Sequence, residues 1–270
     1  MATHYLKRAL EILREGGAVE LSKRSMNFFT RYTRRFLRKC TRRPLLELQK
    51  IRLKAKYGSS APKPYKLIHV HPKDISHYVW MPRVVANQHF LNISWKTARY
   101  GTFIIGGDWD KTSNGEYNSL TKRGRFENKY LWESTVEHFE KGIAWENTSG
   151  FDKTYKGAEW FQPIKELYDI IQSDGYKTQR ESENGYDIYL TPPEYDEIRV
   201  NIGRDGEIFF GDGRHRFCAL RILDIDMKIP VRVYVRHRQW QELRDEIHNN
   251  GLPEEYEDLR DHPDLQDVLD

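Results

Sequence analysis

Glu197-Ile-Arg-Val-Asn-Ile-Gly203, Arg204-Asp-Gly206, Glu207-Ile-Phe-Phe210, Gly211-Asp-Gly-Arg-His-Arg216 and Phe217-Cys-Ala-Leu-Arg-Ile-Leu223 follow one another without interruption. The first run alternates, with Ile198, Val200 and Ile202 on one face, which predicts a strand. Arg204-Asp205-Gly206 is a tight hairpin signal, and Glu207 to Phe210 returns as a second strand. The glycines at 211 and 213 allow a sharp corner, and a helix follows from Phe217 to Leu223. Lys228 to Val235 then reads as another strand. A hairpin followed by a crossover helix and a further strand predicts an α+β fold with a small mixed sheet, spanning residues 66–237.

Outward from that block, Ile164 to Gln172 is an amphipathic helix closed by Gly175, and Lys129 to Ile143 is another. Residues 66–71 and 101–106 are predicted strands, the first stopped by Pro72. Lys73 to Tyr78 reads as a turn of helix, Lys111 to Arg125 as a polar loop, and residues 144–160 as irregular. Gln239 to Asn249 is a helix ended by Gly251. The acidic residues 251–270, with two prolines, read as a loose tail. The domain expectation is a basic helical extension at 1–57, a body at 58–250 with an insertion at about 80–162, and the tail.

Charge is distributed unevenly. Residues 1–56 hold 16 Lys/Arg against 4 Asp/Glu, while the remainder carries 28 basic and 36 acidic residues, for a formal net charge of +4. Within that arm, Phe28, Phe29, Tyr32, Phe36 and Leu37 are interleaved with Arg31, Arg34, Arg35, Arg38 and Lys39. This basic and aromatic pattern, over residues 19–56, suits an anionic membrane surface, a nucleic-acid backbone, or packing on the acidic body. No run of about 18 apolar residues predicts a spanning helix, and the first 20 residues lack the apolar core of a secretory signal. Two cysteines, Cys40 and Cys218, do not make a disulfide framework. A cytoplasmic location is expected, with attachment at the membrane periphery as the alternative that the arm allows.

The chemistry concentrates at residues 211–216. A helix start presents unpaired amides that favour an anion, and Arg214, His215 and Arg216 add cationic donors suited to phosphate. Gly211 and Gly213 let a ligand approach the backbone. Asp212 is placed to hold a metal, orient an arginine or accept a proton. Arg232 and Arg236 have the parity to share one strand face and extend the anion site. Asp108 and Asp110 flank Trp109 and would share a face if that segment were a strand, a geometry for a divalent ion. No Walker loop, dinucleotide fingerprint, nucleophile elbow or zinc-ligand spacing is present.

The stretch from Ile164 to about His237 resembles the core of the ParB/sulfiredoxin superfamily. The likeness is carried by Asp174-Gly175, the hairpin, Gly211-Asp-Gly-Arg-His-Arg216, the helix that follows and Ile229-Pro-Val-Arg-Val233; Val70-His-Pro-Lys-Asp-Ile75 resembles the opening strand. The motif is most similar to that of the archaeal free-serine kinase branch, with Asp212, Gly213, His215 and Arg216 matching and Arg214 replacing a His. The sulfiredoxin nucleophile would fall at Gly213 or Arg214, neither of which supplies it, and Cys218 reads as a buried small hydrophobe. The DNA-reading helices of partition proteins have little room after His237. The resemblance implies a nucleotide-dependent phosphotransferase using ATP, ADP or CTP with Mg²⁺ on a small hydroxyl acceptor; a glycan-type acceptor is the expectation that follows if the amphipathic arm sits on a membrane. Asp212, His215 and Glu197 are the expected catalytic residues. Gly211, Gly213, Arg214, His215 and Arg216 are the expected phosphate site, and Asp108, Asp110 and Asp212 the expected metal ligands. The alternative is a non-catalytic nucleotide- or DNA-binding protein, or a nuclease.

Overall fold

The computed structural model describes residues 44, 47–64, 66–81, 102–111, 122–152, 157, 160–181 and 196–269. The helices expected before residue 44, and the arm's basic face with them, lie outside the described residues. The chain divides into two units, Met1–Leu45 and Leu46–Asp270. Residues 47–57 are helical and belong to the second unit rather than to the extension. Gln49 ties them there, donating from Nε2 to the Thr102 carbonyl at 2.7 Å and accepting the Thr102 N–H at 3.2 Å.

The strands are β1 (Leu67–Val70), β2 (His77–Trp80), β3 (Phe103–Ile105), β4 (Lys122–Arg125), β5 (Ile198–Ile202), β6 (Ile208–Asp212) and β7 (Ile229–His237). They form one mixed sheet in the order β1-β7-β5-β6-β2-β4, with β3 also pairing β7. The helices are α1 (Tyr130–Lys141), α2 (Gln162–Asp174), α3 (Arg214–Ile222), α4 (Arg238–Asn250) and the short α5 (Gln266–Leu269). The α+β expectation is met. Two strands were not anticipated: β2 falls where a helical turn was expected, and β4 at the end of the expected polar loop. Both take their place from pairing, since β4 runs antiparallel to β2 from His77↔Arg125 to Trp80↔Lys122. The expected insertion therefore supplies two strands and α1 to the body itself.

Alternation in β5 sets the two faces. Ile198, Val200 and Ile202 enter one core with Phe217, Cys218, Ala219 and Leu220 of α3 and Ile164 and Ile171 of α2. The opposite face buries Val79, Phe103, Trp109, Phe209 and Tyr234. In β7 the alternation is interrupted. Val200 pairs with Val233 but Asn201 pairs with Val235, so β7 carries one extra residue. Such a bulge reverses side-chain parity beyond it. Arg232 sits opposite Arg199 and Arg236 opposite Ile202, and Arg199 and Ile202 point to different faces. The expectation that Arg232 and Arg236 share a face is therefore corrected: the bulge separates them.

The C-terminal segment also departs from expectation. Leu265 and Val268 are buried in the α3-side core, and Asp264 is wholly buried. Each such apolar side chain contributes about 1.5–3 kcal/mol. Arg236 of β7 donates to Asp264 at 2.8 and 2.5 Å, Trp240 Nε1 donates at 2.9 Å, and Arg244 lies 3.5 Å away. Burial alone would raise the Asp264 carboxyl; the two arginine charges outweigh it and hold the group well below the ordinary aspartate range. The acidic composition predicted a loose end, but one of its carboxylates is the anchor.

Candidate functional site

At the end of β6 the chain turns through Gly213 (φ 97°) into α3. A Cβ at this position would be strained by the left-handed backbone, and would lie only 3.2 Å from Ile198. The turn starts α3 directly off the sheet. Phe217 is the first residue whose N–H closes a helical bond, onto the Gly213 carbonyl at 3.0 Å, so the amides of 214–216 have no carbonyl within the helix. They border a cleft of about 590 Å³. Its lining includes the polar Asp196, Glu197, Arg199, Asp212, Arg214, His215 and Arg216, together with Trp160, Pro163 and Leu167. Every residue expected from 212 to 216, together with Glu197, lines this one space.

Within it the charges are largely paired. Asp212 accepts the Gly213 N–H at 2.9 Å with Oδ1 and is bridged by Arg199 through Oδ2. Arg199 also lies over the Tyr234 ring, 5.2 Å from its centroid. Arg216 donates to Glu197 at 3.1 Å and to the Asp196 carbonyl. Glu197 further accepts the Tyr176 hydroxyl at 3.2 Å and the Gln179 N–H at 2.6 Å. Burial raises the Glu197 carboxyl despite these donors, and burial likewise pushes the Tyr176 phenol up. Arg214 is different. It is exposed, and among the described residues no carboxylate pairs with it; its contact is the Trp160 ring, 5.9 Å from the guanidinium carbon.

This arrangement changes the role of Glu197. Both its oxygens are engaged, and its side chain is 1 % exposed, against 31 % for Asp212. Glu197 is paired with Arg216, and Asp212 is the more exposed of these two carboxylates in the cleft lining. Cys218 is wholly buried one turn into α3, and burial pushes its thiol up to about 12, so it presents no thiolate.

The expected metal trio is not brought together. Residues 107–111 form bends and turns after β3 rather than a strand. Asp108 and Asp110 both bind Arg204 of the β5–β6 turn, at 2.8 and 2.7 Å. That turn is about 16 Å along β5 from the Arg199–Asp212 pair. Burial would raise the Asp110 carboxyl, but its hydrogen bonds from Arg204 outweigh this and lower it. The Arg204 guanidinium stands where a divalent ion was expected. Among the described residues no group of three or more His, Cys, Asp or Glu is placed to hold a metal. Arg232 is wholly buried behind the cleft, over the Tyr234 ring, and Arg236 is committed to Asp264. Neither extends the anion site. His237 donates to or accepts from neighbours structurally: its Nε2 lies 2.8 Å from the Gly107 carbonyl and its Nδ1 accepts the Gln239 N–H, capping α4.

Trp160, Tyr176, Gln179 and Arg199 were not anticipated as site residues. Trp160 and Tyr176 lie outside the motif, and Arg199 is only an alternate position in an apolar strand. No local spacing announces any of the four. The chain matches no protein-family model, and it shows no significant similarity to any curated protein or solved structure compared with it.

Proposed function

We propose that the cleft at the start of α3 binds a nucleotide through its phosphates, and that the protein is a nucleotide-dependent phosphotransferase acting on a small or glycan-type hydroxyl acceptor. The observation that carries this reading is Arg214. It is a cation without a carboxylate partner among the described residues, beside three helix-start amides, in a space large enough for a ligand. The resemblance of residues 164–237 to the ParB/sulfiredoxin core supports it. In this reading the amides of 214–216 and Arg214 cradle the phosphates. His215 adds a donor, and Arg216, paired with Glu197, offsets charge on the moving phosphoryl group. Asp212 orients the acceptor hydroxyl. In this reading Asp212 would hold a Mg²⁺ ion that arrives mainly on phosphate oxygens and water. When bound, the ion would supply charge neutralisation.

Two observations favour a second reading, a nucleotide- or nucleic-acid-binding protein without turnover. Both oxygens of Glu197 are occupied, and residues 1–56 carry a large basic surplus. Calorimetric titration of the full chain with ATP, ADP and CTP plus Mg²⁺, on wild type and Arg214→Ala, tests the shared premise. Binding that weakens in the variant supports it; no heat with any of the three overturns it. Phosphoryl transfer from γ-labelled ATP to hydroxyl compounds, above the rate of hydrolysis, then separates the two readings. Arg216→Ala is the poorer probe, because it strips Glu197 of its counter-charge.

A further inference from the structure

We infer that the helix at residues 47–57 seats the protein on an anionic lipid surface, with Leu48, Ile51 and Ala55 entering the headgroup boundary and the basic residues on either side of them meeting the charge. This is independent of what the cleft binds. The helix has two long faces. At about 100° per residue, Gln49, Leu53 and Tyr57 fall together. Gln49 is buried on Thr102, and Leu53 and Tyr57 are half-buried, so that face is spent on the body. Leu48, Ile51 and Ala55 recur at spacings of three and four, which places them on the opposite face. They are exposed, Leu48 to 50 % and Ile51 to 65 %. Ile51 is the most exposed large apolar side chain among the described residues.

The apolar stripe is bordered by charge of one sign. Lys50 and Lys54 run along one edge and Arg52 and Lys56 along the other, and all four are exposed. The helix holds one acidic residue, Glu47, which lies 3.7 Å from Lys50. The surplus is local, because the chain after residue 56 is net acidic. Apolar side chains between two rows of lysine and arginine complement a bilayer surface, where acyl chains lie just beneath anionic headgroups. The long basic stems follow the apolar boundary while their charged ends reach the headgroups. A nucleic-acid backbone answers the basic rows but offers Leu48 and Ile51 nothing.

The experiment is sedimentation of the full chain with vesicles of phosphatidylcholine alone, or of equal parts phosphatidylcholine and phosphatidylserine. Wild type is expected to bind the anionic vesicles, to ignore the neutral ones, and to leave the anionic ones as salt is raised. Each lysine near the surface is worth about 5-fold in partitioning, so Lys50→Gln with Lys54→Gln should weaken binding by about 10-fold or more. Leu48→Asn with Ile51→Asn should weaken it by about 10-fold. All four side chains are exposed, so both double variants should melt with wild type. Ala55→Leu extends the stripe without costing helix, and should tighten binding by about 5-fold; a gain cannot come from misfolding. Failure to bind anionic vesicles overturns the inference, and so does equal binding to neutral ones. Binding that the apolar pair and Ala55→Leu leave unchanged also overturns it, because the basic residues before position 44 or charge alone would then hold the protein. Retention by double-stranded DNA without vesicle binding, lowered by the lysine pair only, would make the helix a nucleic-acid contact instead.

Discussion

The two ends of the β5–β6 hairpin use the same residue types to opposite effect. At the turn, Arg204 is gripped by Asp108 and Asp110, and nearby Asp264 is enclosed by Arg236, Arg244 and Trp240. At the other end, Arg199 holds Asp212 and Glu197 holds Arg216, yet Arg214 remains over and a cleft opens beside it. Arginine–carboxylate clusters alone therefore do not mark a site. What separates the two ends is an unspent cation next to accessible volume. A buried pair whose charges are already matched is scaffold, because any ligand would first have to displace its own counter-ion.

Breaking the scaffold end should have the largest consequence. Asp264→Asn leaves Arg236 and Arg244 facing a neutral group in a site without solvent. A loss of about 3–5 kcal/mol is expected, seen as a drop in melting temperature on the order of 10 °C. The pH dependence follows from the direction of the shift. The Asp264 carboxyl is lowered in the folded state, so protonation favours the unfolded chain. Its contribution is complete above the ordinary aspartate value of about 3.9 and fades as pH falls below it. Denaturant titrations between pH 6 and pH 3 should show this slope in wild type and a shallower one in Asp264→Asn. Equal slopes would mean that another carboxylate controls acid unfolding.

A smaller effect belongs to the Arg204 pair, and it is unequal between its two members. Asp110 is buried, its side chain 4 % exposed, whereas Asp108 is 79 % exposed. Asp110→Asn should cost about 1–3 kcal/mol, the range for a lost charged hydrogen bond. Asp108→Asn should leave the melting temperature almost unchanged, as exposed pairs do. If either aspartate ligated an ion, adding Mg²⁺ would stabilise wild type and not Asp110→Asn; no such difference is expected.

The contrast between the ends was partly visible in the residues themselves. The run 197–223 specified strand, hairpin, strand, corner and helix, because each signal is local: alternation, a turn triplet, glycines at a corner. The cleft residues 212–216 were legible for the same reason. Other features depended on partners far along the chain. β2 pairs with both β4 and β6, and Lys122–Arg125 carries no strand pattern of its own, so β4 takes its place from β2. The bulge in β7 leaves no trace in Ile229–His237, so counting by twos placed Arg232 and Arg236 together. The tail looked solvated because its composition is acidic, but one carboxylate with two buried arginines waiting for it outweighs that average. Trp160 and Gln179 reach the cleft only through tertiary folding.

The smallest structural effect should come from the residue with the largest functional one. Arg214 is exposed, pairs with no carboxylate among the described residues, and begins a helix whose fold depends on Phe217 to Leu220 behind it. Arg214→Ala should therefore leave the melting temperature where it is. The same change removes a charged donor from the proposed phosphate cradle, worth about 10-fold or more in affinity for ATP or tripolyphosphate. Arg214→Lys keeps the charge but loses the planar fork, so it should recover only part of the loss. Thermal melts and calorimetry on the three proteins check both halves. If Arg214→Ala melts lower by several degrees, its side chain is part of the scaffold, and the cleft end would then resemble the turn end. If stability and affinity both hold, Arg214 is surface charge only, and any anion in the cleft is carried by the amides of α3.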